Sequence, residues 1–147
     1  MNISEETYIQ ERLEDQINWY DKKSMHSQRL YKRLKGIVTI LSASIPLFVG
    51  LITEFKFWAT IVSIIGVTIT AIEGWLSLTK YHENWIEYRS ICETLKHEKY
   101  MYLTKTGVYE TENSFKVLVE RVESIISKEN VNWANLNNNQ NGGIRNG

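Results

Sequence analysis

The sequence predicts an all-α membrane protein: a hairpin of two transmembrane helices with long cytosolic helical extensions and a third cytosolic helix. Two apolar segments are the basis of this prediction, since residues 36–53 contain no charged side chain and residues 57–79 contain only Glu73. About 18 residues at about 1.5 Å each form a helix of about 27 Å, close to the thickness of a bilayer's hydrocarbon core. The polar break at 54–56 is short, so it predicts a hairpin that enters and leaves the membrane from the same face.

A hairpin buried in a soluble helical bundle is the alternative interpretation. A chain of 147 residues has little material with which to cover two helices that are apolar on nearly every face. Length and composition predict one domain over residues 1–134 and a disordered polar tail over 135–147, where asparagine and glycine dominate. The chain carries no net charge, so nothing in its overall balance indicates nucleic acid as a partner.

Basic residues predict the orientation of the hairpin. They cluster just before the first span and recur after the second, whereas the connecting break holds only Lys56. Loops rich in Lys and Arg stay on the cytoplasmic side of membranes. The hairpin is therefore expected in the inner membrane with both termini in the cytoplasm. The six basic residues before the first span are Lys22, Lys23, Arg29, Lys32, Arg33 and Lys35.

The segment before the first span reads as an amphipathic helix with Ser4 as its N-cap. Its apolar and small residues recur at spacings of three and four, which is typical of a packing seam. The seam comprises Leu13, Ile17, Tyr20, Ser24, Ser27, Tyr31 and Leu34. A matching stripe follows the second span and comprises Trp85, Tyr88, Cys92, Leu95 and Tyr102. We expect the two to pack antiparallel within one chain; a surface for assembly between chains is the other interpretation.

The first span has a proline and a face of small residues. Pro46 removes the backbone hydrogen bond to Ser42 and is expected to kink the helix. Small side chains on one face of a membrane helix allow another helix to approach closely. The residues on this face are Thr39, Ser42, Pro46, Gly50 and Thr53.

The second span has a stripe of small and polar residues that ends in an acid. The stripe, at spacings of three and four, comprises Ser63, Gly66, Thr70, Glu73 and Ser77. A charged Glu73 facing lipid would cost a few kcal/mol, so a partner helix or an aqueous lumen is expected beside it. One interpretation is a pore lining repeated around an oligomer. The other is a helix-packing stripe whose acid reaches the headgroups or pairs with Lys80 or a basic residue of the first helix.

Beyond the second span, no glycine or proline occurs between Gly74 and Thr106, so we expect one helix to continue to about Lys105. Gly107 is the predicted stop, and Thr111 the predicted cap of a third helix over about 112–128. The apolar face of that helix is expected to fold back and pack on the cytosolic part of the first two.

No catalytic, metal or cofactor site emerges from the sequence, and enzymatic activity is not expected. Glu93 and His97 share a helix face, but two ligands do not make a metal site. Cys92, the single cysteine, has no histidine at helical spacing to activate it and reads as a core position.

Several long strings resemble the SLATT superfamily of two-transmembrane effector domains, and specifically a family of unknown function within it. They are ERLEDQINWYDKKS at 11–24, RLYKRLK at 29–35, AIEGWLSL at 71–78, ENWIEYRSICETLKHEKYMYLTKTGVY at 83–109 and FKVLVERVESIISKEN at 115–130. The resemblance covers nearly the whole chain except the tail and transfers no catalytic residues.

The resemblance implies a membrane effector of bacterial conflict or anti-phage systems, which oligomerises and forms pores when a partner protein supplies a signal, often a nucleotide. We therefore expect a homo-oligomeric, pore-forming protein that depolarises the inner membrane, since two helices cannot enclose a conduction path. The alternative is a membrane-anchored scaffold that recruits a cytosolic partner without conduction. The lipid bilayer is an expected partner in both cases.

Overall fold

The computed structural model describes the backbone of residues 3–51 and 57–142, and the side chains over 3–51 and 57–128. The described residues contain no strand, so the all-α prediction is confirmed. The predicted connecting break lies within 52–56, outside the described residues. The helices are α1 (Glu5–Leu51), α2 (Phe57–Thr79), α3 (Tyr81–Leu103) and α4 (Ser114–Gly142), with a short 3₁₀ helix at Gly107–Tyr109.

The helices group into two compact units, and both units draw on α1 and α3. The three-helix unit contains the chain up to Asp21 and from Arg89 onward. The hairpin unit is Lys22–Tyr88. The predicted domain over 1–134 thus groups into two units, which are described separately.

The start of α1 confirms the predicted cap and adds a feature that the sequence did not indicate. Ser4 Oγ accepts a hydrogen bond from the Thr7 amide at 3.2 Å, satisfying one of the unpaired donors of the first turn. The following residues, Tyr8–Leu13, form a π-helical stretch before regular α-helix resumes at Glu14. Such stretches widen a helix locally and change the directions of its side chains.

In the three-helix unit, α1 and α3 run antiparallel and α4 packs on both. The Cys92 thiol donates to the Ile17 carbonyl at 3.6 Å, and α4 joins through Phe115, whose ring meets Tyr8 edge-on. Arg121 of α4 also contacts Glu98 of α3, so the third helix folds back onto both of the first two helices outside residues 36–53 and 57–79. The buried apolar residues of the unit are Tyr8, Leu13, Ile17, Tyr20, Cys92, Leu95, Tyr102, Tyr109, Leu118, Val122 and Ile126.

In the hairpin unit, α1 and α2 run antiparallel and meet through large side chains. Phe48 stacks on Trp58 with ring centroids 5.2 Å apart at one end. Val38 and Leu76 are buried nearer the other end. α1 continues through Pro46 to Leu51, although proline removes one backbone hydrogen bond there.

The second long helix is interrupted, contrary to the expectation of one helix to Lys105. Lys80 separates α2 from α3 and adopts φ 48°, a left-handed conformation that costs about 1 kcal/mol for a residue other than glycine. The Asn84 side-chain amide donates to the Thr79 carbonyl at 3.3 Å and satisfies a group that the break exposes. Neither glycine nor proline marks the site, which is why the sequence did not indicate the break.

The end of α3 is also shifted from the predicted stop at Gly107. Lys105, at φ 50°, is the left-handed residue that ends the helix. The amides of Thr106 and Lys105 donate back to the carbonyls of Met101 and Tyr102, both at 3.1 Å, in the bonding pattern of a Schellman cap. Gly107 has φ 62° and begins the 3₁₀ helix, and a β-carbon there would lie 3.0 Å from Met101 Cε.

The third helix is longer than the predicted 112–128 and begins at Ser114, whose amide donates to the Thr111 backbone carbonyl at 3.2 Å. α4 continues to Gly142, through part of the segment 135–147 for which a disordered polar tail is predicted. Adding residues to a formed helix is far easier than nucleating one, so asparagine-rich sequence without proline can extend it. Residues 143–147 lie outside the described part of the chain.

Candidate functional site

The apolar parts of both long helices are left almost uncovered. α1, and α2 continued through α3, are each 47 residues long, and each contains an 18-residue window apolar enough to cross a membrane. Only 6% of each window is buried, whereas the core helix of a soluble protein is mostly buried. Leu47 and Leu78, for example, are 73% and 81% exposed. This exposed hairpin is the strongest candidate functional feature of the chain.

The stripe predicted on α2 lies beside the contact with α1. Ser63, Thr70 and Ser77 are exposed, whereas Gly66 and Glu73 are half-buried. A β-carbon built on Gly66 would meet no atom within 4 Å, so α1 does not approach α2 closely at this glycine.

Two of the three hydroxyl groups of the stripe donate to their own helix. Ser63 Oγ donates to the Ala59 carbonyl at 2.9 Å, and Thr70 Oγ1 to the Gly66 carbonyl at 3.0 Å. Each hydroxyl oxygen keeps lone pairs that can accept a hydrogen bond from water or coordinate a cation. Ser63 and Thr70 therefore offer acceptor lone pairs while their own protons are already bonded.

The small face of α1 also points away from α2. Thr39, Ser42, Pro46 and Gly50 are all exposed, and Thr53 lies outside the described residues. Large apolar side chains hold the two helices together instead. Close approach along this face is therefore available only to another chain or to lipid.

Glu73 is paired with a basic residue of α1. Lys35 Nζ donates to both carboxylate oxygens at 2.9 Å, and each side chain is about 40% exposed. Of the two interpretations of Glu73, the ion pair with the first helix is the one present in the structure. The pairing neutralises the only charge in the second span, which lowers the cost of an apolar environment.

The residues predicted for packing outside the spans occupy interior or partly interior positions in both units. Leu13, Ile17, Tyr20 and Leu95 are buried in the three-helix unit, and Tyr88 is buried in the hairpin unit. Tyr31, Leu34 and Trp85 are half-buried in the hairpin unit. There, Tyr31 meets His82 with ring centroids 4.9 Å apart.

A buried carboxylate, missed by the sequence analysis, ties α4 to α3. Glu98 is 3% exposed, and Arg121 donates hydrogen bonds to its carboxylate from Nε at 2.7 Å and from Nη2 at 2.6 Å. The Tyr109 hydroxyl donates to the same carboxylate. The Arg121 hydrogen bonds, and then that of Tyr109, hold the pKa of Glu98 below its ordinary value.

A second carboxylate ties α4 to the π-helical stretch of α1. Arg12 Nε and Nη2 each donate to Glu123 at 3.0 Å, and the Tyr8 hydroxyl donates at 3.1 Å. The Arg12 hydrogen bonds lower the pKa of Glu123, and burial raises that of Tyr8. Each cluster thus joins a carboxylate, a guanidinium and a phenol, which suits holding helices together.

Cys92 and the Glu93–His97 pair show no feature of a reaction site. Cys92 is fully buried, and burial raises the pKa of its thiol, which disfavours the reactive thiolate. Glu93 contacts Arg89 at 2.8 Å and Lys96 at 3.5 Å. Among the described side chains, those of residues 3–51 and 57–128, no three of His, Cys, Asp or Glu type come together as metal ligands would.

These features define an all-α protein with two helices long and apolar enough to cross a membrane. Residues 15–116 match the family described as "Protein of unknown function (DUF4231)", and the chain belongs to this family. The match contains both candidate spans and ends near the start of α4. No curated protein and no solved structure matches the chain.

We predict that Arg121→Met destabilises the three-helix unit by about 2–4 kcal/mol, because it leaves the buried Glu98 carboxylate without its cation. Urea-dependent proteolysis of the full chain in detergent measures this change. The control is Lys116→Met on the same helix, where an exposed pair 3.9 Å apart is expected to contribute less than about 0.5 kcal/mol. Equal losses in the two variants would contradict a special role for Glu98.

We predict that the three-helix unit loses stability in acid. The folded-state pKa values of Glu98 and Glu123 are lowered from 4.5, so their contribution is complete above that value and is lost as pH falls through the folded pKa. Hydrogen exchange of α4 amides in the full chain should be little changed between about pH 7 and 5, after correction for intrinsic rates, and should lose protection below about pH 4. Protection that persists at pH 2 would contradict this.

We predict that Lys35 and Glu73 are coupled in a double-mutant cycle. Lys35→Leu and Glu73→Leu should each lower stability in detergent micelles, and the double variant should lose less than the sum. A coupling of about 1 kcal/mol is expected for a bidentate, partly exposed pair. Additive losses would show that the pair contributes nothing. Lys80→Leu, which alters a more exposed contact 3.6 Å from Glu83, is the matched control.

Proposed function

We propose that this protein is an oligomeric integral membrane effector that forms pores and depolarises the inner membrane in bacterial anti-phage or conflict defence. The observation that carries the proposal is the uncovered hairpin, whose outer faces combine large apolar residues with rows of small polar ones. Lipid would cover the apolar residues, and neighbouring copies would cover or enclose the polar ones.

Membrane insertion is supported by exposed apolar area that one chain has no means to bury. Basic residues precede the first span and follow the second, so both termini would lie in the cytoplasm. In this orientation the Lys35–Glu73 pair lies at the cytoplasmic end of the hairpin, where long side chains reach the headgroup region.

A pore requires several copies, because two helices cannot surround a water-filled path. Turning α2 toward a central axis would bring Ser63, Thr70 and Ser77 of each copy to the lumen. Their hydroxyl oxygens would replace part of the hydration shell of a passing ion. Glu73 would contribute a neutralised pair at the cytoplasmic mouth rather than a ring of bare carboxylates.

The resemblance of the long strings described above to the SLATT superfamily supports this reading. The resemblance to that superfamily implies that a partner protein supplies the activating signal, often a nucleotide. We include such a nucleotide-signalling partner in the proposal. The three-helix unit is the part of the chain that would receive the signal, because it contains neither of the apolar segments 36–53 and 57–79.

A membrane-anchored scaffold is the second candidate. Tyr100 and Leu103, on the outer surface of α3, are 63% and 54% exposed although they lie outside the candidate spans. Apolar side chains in such positions fit the binding of a cytosolic partner. The same hairpin would then serve only as an anchor.

We expect induced expression in bacteria to depolarise the inner membrane, as followed with a voltage-sensitive dye. Thr70→Leu should reduce depolarisation, because it replaces a hydroxyl of the stripe with an apolar side chain. Thr68→Leu is the matched control, because Thr68 is also exposed and also donates to its own helix but lies on another face. Both variants are compared with the wild type at equal abundance in the carbonate-resistant membrane fraction.

Equal depolarisation by the two threonine variants would remove the stripe from the conduction path. Wild-type protein that resides in the membrane without depolarising it would favour the scaffold. Extraction of the wild type by carbonate would contradict membrane insertion itself.

A further inference from the structure

The part of α1 in the hairpin unit has a basic face that neither the packing seam nor the span uses. Lys22, His26 and Arg29 recur at spacings of four and three, so they share one side of the helix, and all three are exposed. The buried Ser24 and Ser27 occupy the opposite side. Lys22 and Arg29 form no ion pair within the part of the chain that the structure describes.

α3 has an acidic face in the same unit. Glu83 and Glu87 lie one turn apart, and Ile86 between them is 53% exposed. Glu83 contacts Lys80 at 3.6 Å through two largely exposed side chains, and Glu87 forms no ion pair among the described residues. Tyr88, which is buried, marks the other side of this helix.

The two faces lie at matching levels along the hairpin. Ser24 Oγ donates to the Trp85 carbonyl at 3.4 Å, so these two residues define a common level on antiparallel helices. At about 1.5 Å per residue, Lys22 and Glu87 both lie about 3 Å to one side of that level. Glu83 lies about 3 Å to the other side, and Arg29 about 7.5 Å to that side, within reach of its long side chain.

We propose that the basic face of α1 in one copy binds the acidic face of α3 in the next copy. This inference rests on the proposed oligomer and specifies its subunit contact. Rotation about an axis along the membrane normal leaves the level of every residue unchanged, so opposite charges at one level meet between neighbours. Because the two faces differ, the contact is head-to-tail and generates a ring when the rotation closes.

Each face also has an apolar residue among its charges. Met25, 38% exposed, lies next to Lys22, His26 and Arg29 along α1, and Ile86 lies between the two glutamates. Met25 and Ile86 each follow one member of the Ser24–Trp85 pair, so they too lie within about 3 Å of a common level. An apolar centre with a charged rim is the usual composition of a protein interface.

The test uses charge reversal in the full chain. Glu83→Lys/Glu87→Lys gives a chain with two basic faces, and Lys22→Glu/Arg29→Glu gives a chain with two acidic faces. Either chain alone should lose the oligomer seen for the wild type by light scattering in detergent. The two co-expressed with different tags should co-purify as a mixed oligomer, because opposite faces then alternate around the ring. The control Glu11→Lys/Asp15→Lys makes the same charge change at the same spacing on exposed acids elsewhere and should leave the oligomer intact.

Several outcomes would overturn the contact. One is a wild type that is monomeric while carbonate-resistant in the membrane; another is reversed chains that still form the oligomer alone. Loss of membrane association only in the Lys22→Glu/Arg29→Glu chain would instead indicate that the basic face binds anionic lipid headgroups. Failure of the wild type to remain in carbonate-extracted membranes would contradict the proposed membrane function, which this result distinguishes from a failure of the subunit contact alone.

Discussion

The hairpin cannot bury its own apolar surface, and this constraint governs the rest of the molecule. Most buried apolar side chains belong to the three-helix unit, whereas the hairpin unit buries only Val38, Leu76 and Tyr88 among its described residues. Burial of apolar area is the main favourable term in folding, so the three-helix unit has a core of its own and the hairpin depends on its surroundings. A bilayer, further copies of the chain, or both would supply the missing contacts. The exposed positions of the hairpin therefore indicate most directly which surroundings the protein needs.

The three-helix unit illustrates how a small helical core accommodates charge. Glu98 and Glu123 each receive two guanidinium hydrogen bonds and one from a phenol, so neither carboxylate is left unsatisfied. A buried carboxylate without such donors would cost several kcal/mol, whereas a fully bonded one adds geometric specificity. The π-helical stretch contributes to this geometry because it contains both Tyr8 and Arg12. The clusters therefore select one arrangement of α4 against its neighbours within the unit.

The hairpin solves the same problem of polar groups by a different route. The hydroxyls of Ser63 and Thr70 donate to carbonyls of their own helix, and Lys35 pairs with Glu73, the single acid of residues 57–79. Both arrangements suit surroundings that offer few hydrogen bonds. At Ser63 and Thr70 they leave acceptor lone pairs on the exposed stripe while the hydroxyl protons are bonded. Away from the spans, by contrast, Lys22, Arg29 and Glu87 remain without ion partners among the described residues. This contrast between satisfied and unsatisfied polar groups is what motivates placing the contact between copies at the charged end of the hairpin.

The sequence by itself determined the all-α class, the two candidate spans and the seam residues, because these follow from periodicity and composition over short windows. It indicated which side of each helix is buried, as Leu13, Tyr20 and Leu95 illustrate, since a helical repeat records burial locally. It could not determine the partner of Glu73, for which both Lys80 and the basic residues of α1 were open. It also missed the burial of Glu98 and the break at Lys80, which no local pattern marks. Only the tertiary structure decided the partners of Glu73 and Glu98. Lys35 meets Glu73, and Arg121 meets Glu98, because of the register between helices that are distant in sequence.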